Sequence, residues 1–99
     1  MKRYLLLYSG PSTPPRASHR GWPQWFDSIG DALVDRGSPM TEGTVLRGDG
    51  STSGEAASLN GFSVIQAEDR ERALDLVRGH PFLLLGSDYV IEMFEVPRA

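Results

Sequence analysis

The clearest structural signal in this chain of 99 residues is the run NGFSVIQAEDRERALDLVRG at residues 60–79. Residues 60–67 are rich in apolar, β-branched and aromatic side chains, which predicts a strand. Asp69 then stands where the N-cap of a helix is expected, and Gly79 stands where that helix should close. Residues 70–78 between them are predicted to be helical. The inward positions of this helix are Ala73, Leu76 and Val77.

A second strand and a second helix are predicted nearer the N-terminus. Residues 3–8 form one apolar run, and residues 9–21, rich in proline, glycine and hydroxyl side chains, predict a loop. A helix is expected over Pro23–Arg36, because proline suits a first helical turn and Gly37 suits the position after a helix. Its apolar face comprises Trp22, Trp25, Phe26, Ile29, Ala32 and Leu33.

The remaining segments complete an alternating order of elements. Residues 43–48 predict a weak strand, residues 49–58 a loop, and Tyr89–Val96 the last strand. The order β-α-β-β-α-β is typical of ferredoxin-like α+β folds, in which two helices cover one face of a four-stranded antiparallel sheet. We therefore expect residues 1–99 to form a single domain of that class.

The last strand carries large apolar residues on both of its faces. A strand with one solvated face should alternate apolar and polar side chains, so here both faces need cover. A second copy of the sheet would supply that cover and enclose a barrel-like interior. The sequence therefore predicts a homodimer. The two apolar sets are Val90, Phe94 and Val96 on one side and Tyr89, Ile91 and Met93 on the other.

Composition excludes several functional classes. The net charge of −3 argues against general binding of nucleic acid, and the absence of cysteine excludes a disulfide scaffold and a cysteine nucleophile. No apolar run approaches the ~20 residues of a membrane span, and the apolar stretch after Arg3 is too short for a signal peptide, so we expect a cytoplasmic protein. Neither a phosphate-binding loop nor a metal-ligand spacing occurs, so no cofactor and no metal are expected.

With this skeleton in place, the chain resembles the YCII-related domain family. The resemblance covers nearly the whole chain, as an ordered set of a strand, a capped helix, a His-Pro turn and a final strand. The segments that carry it most clearly are residues 59–69, Ala73-Leu74, Arg78-Gly79-His80-Pro81 and residues 91–95.

The resemblance implies a dimeric α+β barrel. One member of the family is a dehydrochlorinating enzyme of chloroaromatic breakdown, and relatives by fold include muconolactone isomerases and metal-free oxygenases. The chemistry proposed for the family rests on a His–Asp pair of the first helix. Its aspartate corresponds to Asp35, but its histidine would fall near Trp25 or Phe26, and the nearest histidine in this chain is His19.

Three residues are candidates for proton transfer. His19 stands in a loop with two arginines and could face an anion, although it could equally be a solvated loop residue. His80 follows a helix, where an imidazole can bond the last free carbonyls, which is a purely structural role. Asp35 would stand in the last helical turn, where an anion is disfavoured, or simply belong to a solvated face with two other aspartates.

Seven further residues are candidates for ligand binding. The aromatic side chains could line an apolar pocket or belong to the core, and the arginines could hold a carboxylate or be solvated. Glu92 is either an acid inside the barrel or a hydrogen-bonding group of the dimer interface. The candidates are Tyr8, Arg16, Arg20, Trp22, Trp25, Arg47 and Glu92.

Two functions therefore remain open at this stage. The first is a dimeric pocket protein that binds a small anionic or aromatic molecule without catalysis. The second is a lyase or isomerase in which Asp35 and a histidine move a proton next to a carbonyl group. Uneven charge supports an anionic ligand in both cases, since residues 1–20 carry four basic residues and no acid.

Overall fold

The computed structural model describes residues 1–11 and 21–97, and its main element is a four-stranded antiparallel sheet. The elements are β1 (Lys2–Ser9), α1 (Trp22–Ile29), β2 (Leu33–Pro39), β3 (Val45–Leu46), β4 (Thr52–Ser53), β5 (Gly61–Ala67), α2 (Arg70–Arg78) and β6 (Val90–Val96), with 3-10 turns at Gly30–Ala32 and Pro81–Leu85. The strand order is β2-β5-β1-β6, and β3 pairs with β4 in a separate two-stranded hairpin. The chain is therefore α+β with a ferredoxin-like sheet, as the order of elements predicts.

The core lies on the helix-covered face of the sheet. In the central strands β1 and β5, alternate side chains are fully buried, as the two-residue period of a strand requires when only one face is covered. The two helices and the second 3-10 turn complete this layer. The buried apolar residues are Tyr4, Leu6, Tyr8, Trp25, Phe26, Ile65, Ala67, Ala73, Val77 and Phe82.

Helix α2 has the predicted bounds and the predicted cap. Asp69 accepts a hydrogen bond from the backbone N–H of Arg72 at 2.9 Å, which satisfies one of the free donors of the first turn. At the other end, the N–H of Gly79 donates to the carbonyl of Leu76 at 3.4 Å. Within the described ranges, no helix has the length and apolar character needed to cross a bilayer.

The predicted helix over Pro23–Arg36 is wrong in its second half. Helix α1 ends at Ile29 because Gly30 adopts a φ of +54°, outside the helical region. A 3-10 turn follows, and the chain then enters β2, which pairs with β5. Gly37 is consequently not a helix-closing residue but a strand residue with a φ of +76°, at a register irregularity of β2.

The strand predicted at residues 43–48 is also wrong as a member of the main sheet. Only Val45–Leu46 is extended, and it pairs with Thr52–Ser53 in the separate hairpin. The place beside β5 is taken by β2 instead. The residues of β2 up to Arg36 have a spacing that suits a helix, but they form a strand because they pair with β5 and complete the sheet.

The other face of the main sheet, called the open face below, has no covering helix. Strand β6 confirms the two apolar sets, since Ile91 and Met93 pack against the core, whereas Val90, Phe94 and Val96 are 44%, 49% and 44% exposed. These three share the open face with alternate residues of β1 and β5. Its apolar members are Leu5, Leu7, Phe62, Val64, Val90, Phe94 and Val96.

Candidate functional site

A chain of hydrogen bonds runs through the core beneath α1 and is called the buried chain below. Nε2 of His80 lies 3.0 Å from the hydroxyl of Tyr8, and that hydroxyl lies 2.8 Å from Oγ of Ser63. Ser63 in turn donates to the carbonyl oxygen of Arg36 at 2.7 Å. The buried chain therefore links the turn after α2 to β1, β5 and β2.

The tautomer of His80 fixes the direction of each hydrogen bond in the buried chain. The backbone N–H of Phe82 donates to Nδ1 of His80 at 3.0 Å, so Nδ1 is unprotonated and the proton of the neutral ring is on Nε2. Nε2–H donates to Tyr8, whose hydroxyl donates to Ser63. Every side chain of the buried chain thus has a partner, which removes the cost of burying polar groups.

Burial sets the charge state of the two titratable groups in this chain. It lowers the pKa of His80 from 6.5 to about 4, because the desolvated ring disfavours the charged form. Burial raises the pKa of Tyr8 from 10.0 to about 12, although the hydrogen bond with Ser63 partly offsets that rise. Each pKa therefore lies far from pH ~7, so neither group is matched to general acid or base catalysis at that pH.

Aromatic rings enclose the imidazole of His80. The ring centroid of Trp25 is 4.2 Å away, that of Trp22 is 4.6 Å away with perpendicular planes, and that of Tyr8 is 5.0 Å away. His80 is 1% exposed, so the ring has no direct access to solvent. We interpret this imidazole as a structural part of the core.

The structural role of His80 differs from the one expected. Its imidazole does not bond the last carbonyls of α2; instead, its backbone N–H donates to Val77 at 2.9 Å. The carbonyl of Leu76 accepts from the indole Nε1 of Trp25 at 3.1 Å. The imidazole is thereby left to cap the following 3-10 turn through Phe82.

A cavity of about 240 Å³ lies between the start of α1 and the strands β2 and β5, and it is called the α1–β2 cavity below. Its wall is mostly apolar and aromatic, and among the described residues that line it Arg36 alone is charged. The lining residues are Trp22, Pro23, Phe26, Arg36, Gly37, Ser38, Pro39 and Phe62.

The charge at the α1–β2 cavity is positive and has no counter-ion in the part of the chain that the structure describes. The guanidinium carbon of Arg36 lies 5.2 Å from the ring centroid of Phe26, and no described carboxylate forms an ion pair with it. The N-terminus of α1 has no side-chain cap and no acidic residue in its first turn. The adjacent helix end therefore does not reduce the positive potential.

Asp35 lies on β2 rather than in a helix, which corrects the expectation for this residue. Its carboxylate is exposed, and Oδ1 accepts a hydrogen bond from the N–H of Gly37 at 2.8 Å. The hydrogen bonds of His80 go to Tyr8 and Phe82 instead. Among residues 1–11 and 21–97, Asp35 and His80 do not form a hydrogen-bonded pair.

The structure brings three of the predicted ligand-binding residues together. Tyr8, Trp22 and Trp25 surround His80, and of these only Trp22 also lines the α1–β2 cavity. Arg47 is exposed on the β3–β4 hairpin, with Nη2 3.5 Å from Ser53 Oγ, and Glu92 is exposed on the open face. The candidates Arg16, His19 and Arg20 lie outside the described residues.

Sequence reasoning missed Arg36, Ser63, Phe26 and Phe62 as site residues. Ser63 carried a weak signal, since a hydroxyl at an inward position of an apolar strand needs a partner. Arg36 carried none, because its role depends on β2 replacing a predicted helix. Within the described ranges, no cluster of three His, Asp or Glu side chains is suited to hold a metal ion.

Fold and site together define a ferredoxin-like α+β protein with an aromatic core and, beside it, a mostly apolar cavity that bears a cation. The chain belongs to the YCII-related domain family, whose model matches residues 6–96, and the resemblance found in the sequence is thereby confirmed. A comparison with curated proteins found no significant match, and neither did a comparison with solved structures.

Proposed function

We propose that this YCII-related protein is a small homodimeric binding protein that holds a small organic molecule, anionic or aromatic, in the α1–β2 cavity. The observation that carries the proposal is the cavity itself. Its volume of about 240 Å³ lies just below the ~300–1,000 Å³ of pockets that take drug-sized ligands. An apolar wall with few polar groups is typical of small-molecule sites, and a molecule of about one ring fits this volume.

The open face supports the dimeric part of the proposal. Leu5 lies between Val64 and Phe94 in neighbouring strands, which gives the face a continuous apolar centre. Arg3 and Glu92 carry opposite charges at two positions of the same face. A second copy related by a two-fold axis could pair each of these charges with its opposite, so the face is suited to its own copy.

The geometry favours binding over proton transfer by the described residues. His80 is enclosed by rings and stays neutral near pH ~7, and Asp35 is engaged with the backbone of β2. A lyase or isomerase of the kind proposed for the family would need another proton-transfer partner for Asp35. His19, the remaining histidine, lies outside the described residues.

Two-dimensional NMR of the full chain tests the binding proposal, with a panel of single-ring compounds such as benzoate and benzamide. The two indole N–H signals provide an internal comparison, because Trp22 lines the cavity whereas Trp25 donates to Leu76 and does not. We expect at least one compound to shift the Trp22 signal at millimolar concentration and to leave Trp25 nearly unchanged. An unchanged Trp22 signal across the panel would overturn the proposal.

A further inference from the structure

We infer that the α1–β2 cavity selects a planar aromatic carboxylate, with Arg36 as the residue that recognises the acid group. This inference rests on the proposed function and narrows it from a small organic molecule to one ligand class. It begins from Arg36, the only charged side chain among the described residues that line the cavity. Arg36 is exposed and has no carboxylate partner among the described residues. Beside a mostly apolar wall, such a guanidinium is matched by an anion that the ligand itself supplies.

The position of Arg36 favours a flat anion. Its guanidinium carbon lies 5.2 Å from the centroid of Phe26, so the cation is held near an aromatic face. The planar fork of an arginine binds a carboxylate through two parallel hydrogen bonds, which a single-point cation cannot do. A ligand that extends away from the guanidinium meets aromatic and proline side chains, which favour contact with a ring.

The backbone that carries Arg36 is held on both sides. Its carbonyl accepts from Ser63 at 2.7 Å, and the next N–H, that of Gly37, donates to Asp35 at 2.8 Å. Because the carboxylate of Asp35 is bound there, it is turned to the backbone and forms no ion pair with Arg36. These bonds hold the backbone from which the guanidinium extends, beside the cavity.

The size of the cavity suits a ligand of one ring. The cavity of about 240 Å³ is smaller than the ~300–1,000 Å³ pockets of drug-sized ligands. Benzoate has the expected chemistry, with one ring and one carboxylate. Benzamide is nearly isosteric but neutral, and acetate keeps the charge without the ring, so the three compounds separate the contributions of ring and charge.

Isothermal titration calorimetry with these three ligands tests the inference on the wild-type chain, Arg36→Gln and Arg70→Gln. Arg70 is the matched control, because it is an exposed arginine that does not line the cavity. We expect benzoate to bind Arg36→Gln about tenfold or more weakly than wild type, with Arg70→Gln unchanged. Benzamide and acetate should bind the wild type more weakly than benzoate does.

The outcomes separate this inference from the proposed function. Benzamide or acetate binding the wild type as tightly as benzoate would overturn the ligand class, and so would benzoate binding undiminished in Arg36→Gln. In each of these cases a shifted Trp22 signal would still support binding in the cavity. If no ring compound shifts that signal, the proposed function itself fails, and this inference fails with it.

Discussion

At the scale of single residues, two tyrosines of the same strand show that hydrogen-bond partners determine whether a buried hydroxyl stabilises or destabilises the fold. Tyr4 and Tyr8 both lie on the core side of β1, and each is 1% exposed. The hydroxyl of Tyr8 is bonded on both sides by His80 and Ser63. The hydroxyl of Tyr4 has no hydrogen-bond partner among the described residues. A buried polar group without a partner is destabilising, whereas a satisfied one is not.

Replacing each hydroxyl in turn should therefore have opposite effects on stability. Tyr8→Phe leaves Nε2–H of His80 without an acceptor, so we expect the free energy of unfolding to fall by about 1–3 kcal/mol. Tyr4→Phe removes an unsatisfied group and should be neutral or stabilising by up to about 1 kcal/mol. Urea denaturation of the two variants and the wild type measures both values. Equal losses in both variants would contradict this account of the buried chain.

The pH dependence of stability should reveal the burial of His80. The unfolded chain binds a proton at the ordinary pKa of 6.5, whereas the folded chain does so only at about 4. His80 therefore makes its full contribution to the free energy of unfolding above the unfolded pKa of 6.5. That contribution is lost as the pH falls towards the folded pKa of about 4. Between pH ~7 and pH ~5, the wild type should lose about 2 kcal/mol from this source.

His80→Asn provides the matched measurement, because asparagine does not titrate and its side chain can still accept from Phe82. Denaturation at both pH values should show a smaller loss in this variant than in the wild type. An NMR titration of the wild-type imidazole gives a second readout, with a pKa near 4 and the proton on Nε2. A midpoint close to the ordinary 6.5 would contradict the enclosed position of the ring.

At the scale of elements, the two helices differ in how far local sequence determines them. Helix α2 was predictable because Asp69, the apolar period and Gly79 all act within one segment. The first helix was predicted too long because its apolar spacing continues through Leu33, whereas Gly30 ends it. The strand that follows is stabilised by pairing with β5, which a local pattern does not contain.

Gly37 is the position at which β2 tolerates no side chain. Its φ is +76°, and a Cβ atom there would stand 1.7 Å from the carbonyl oxygen of Phe62. We expect Gly37→Ala to lower the free energy of unfolding by more than about 3 kcal/mol, since both backbone strain and a clash with main chain oppose it. Gly48→Ala is the control, because its Cβ would meet nothing within 4 Å and no positive φ is required. Similar thermal midpoints for the two variants would contradict the assigned geometry of β2.

At the scale of the whole molecule, the sequence predicted a four-stranded antiparallel sheet with an uncovered face, but it predicted neither β2 nor the cavity. The open face was predictable because the apolar residues of β6 alternate within one strand. The α1–β2 cavity was not, because Trp22, Arg36 and Phe62 come from three elements that only the fold brings together. The candidates for proton transfer, Asp35, His19 and His80, were likewise selected by their side-chain chemistry, because the sequence does not show which residues lie close together in the fold.

Phe94→Glu tests the proposed dimer at the centre of the open face. Phe94 is 49% exposed and lies beside Leu5, so a charge there would be buried unpaired between two copies. We expect the dimer dissociation constant to rise at least about a hundredfold. Leu84→Glu is the control, because Leu84 is 85% exposed and lies outside the open face. Multi-angle light scattering that shows a monomeric wild type at micromolar concentration would overturn the dimer.

The edge of the sheet formed by β2 is poorly suited to accept another strand. Strand β2 forms one edge, and its pairing with β5 shifts register twice before it ends at Pro39, which has no N–H to donate. Such an interrupted edge is a poor template for a foreign strand, which protects against fibre-like growth of the sheet. Because Arg36, Gly37, Ser38 and Pro39 also line the α1–β2 cavity, an edge that does not pair with a foreign strand leaves this side of the cavity uncovered.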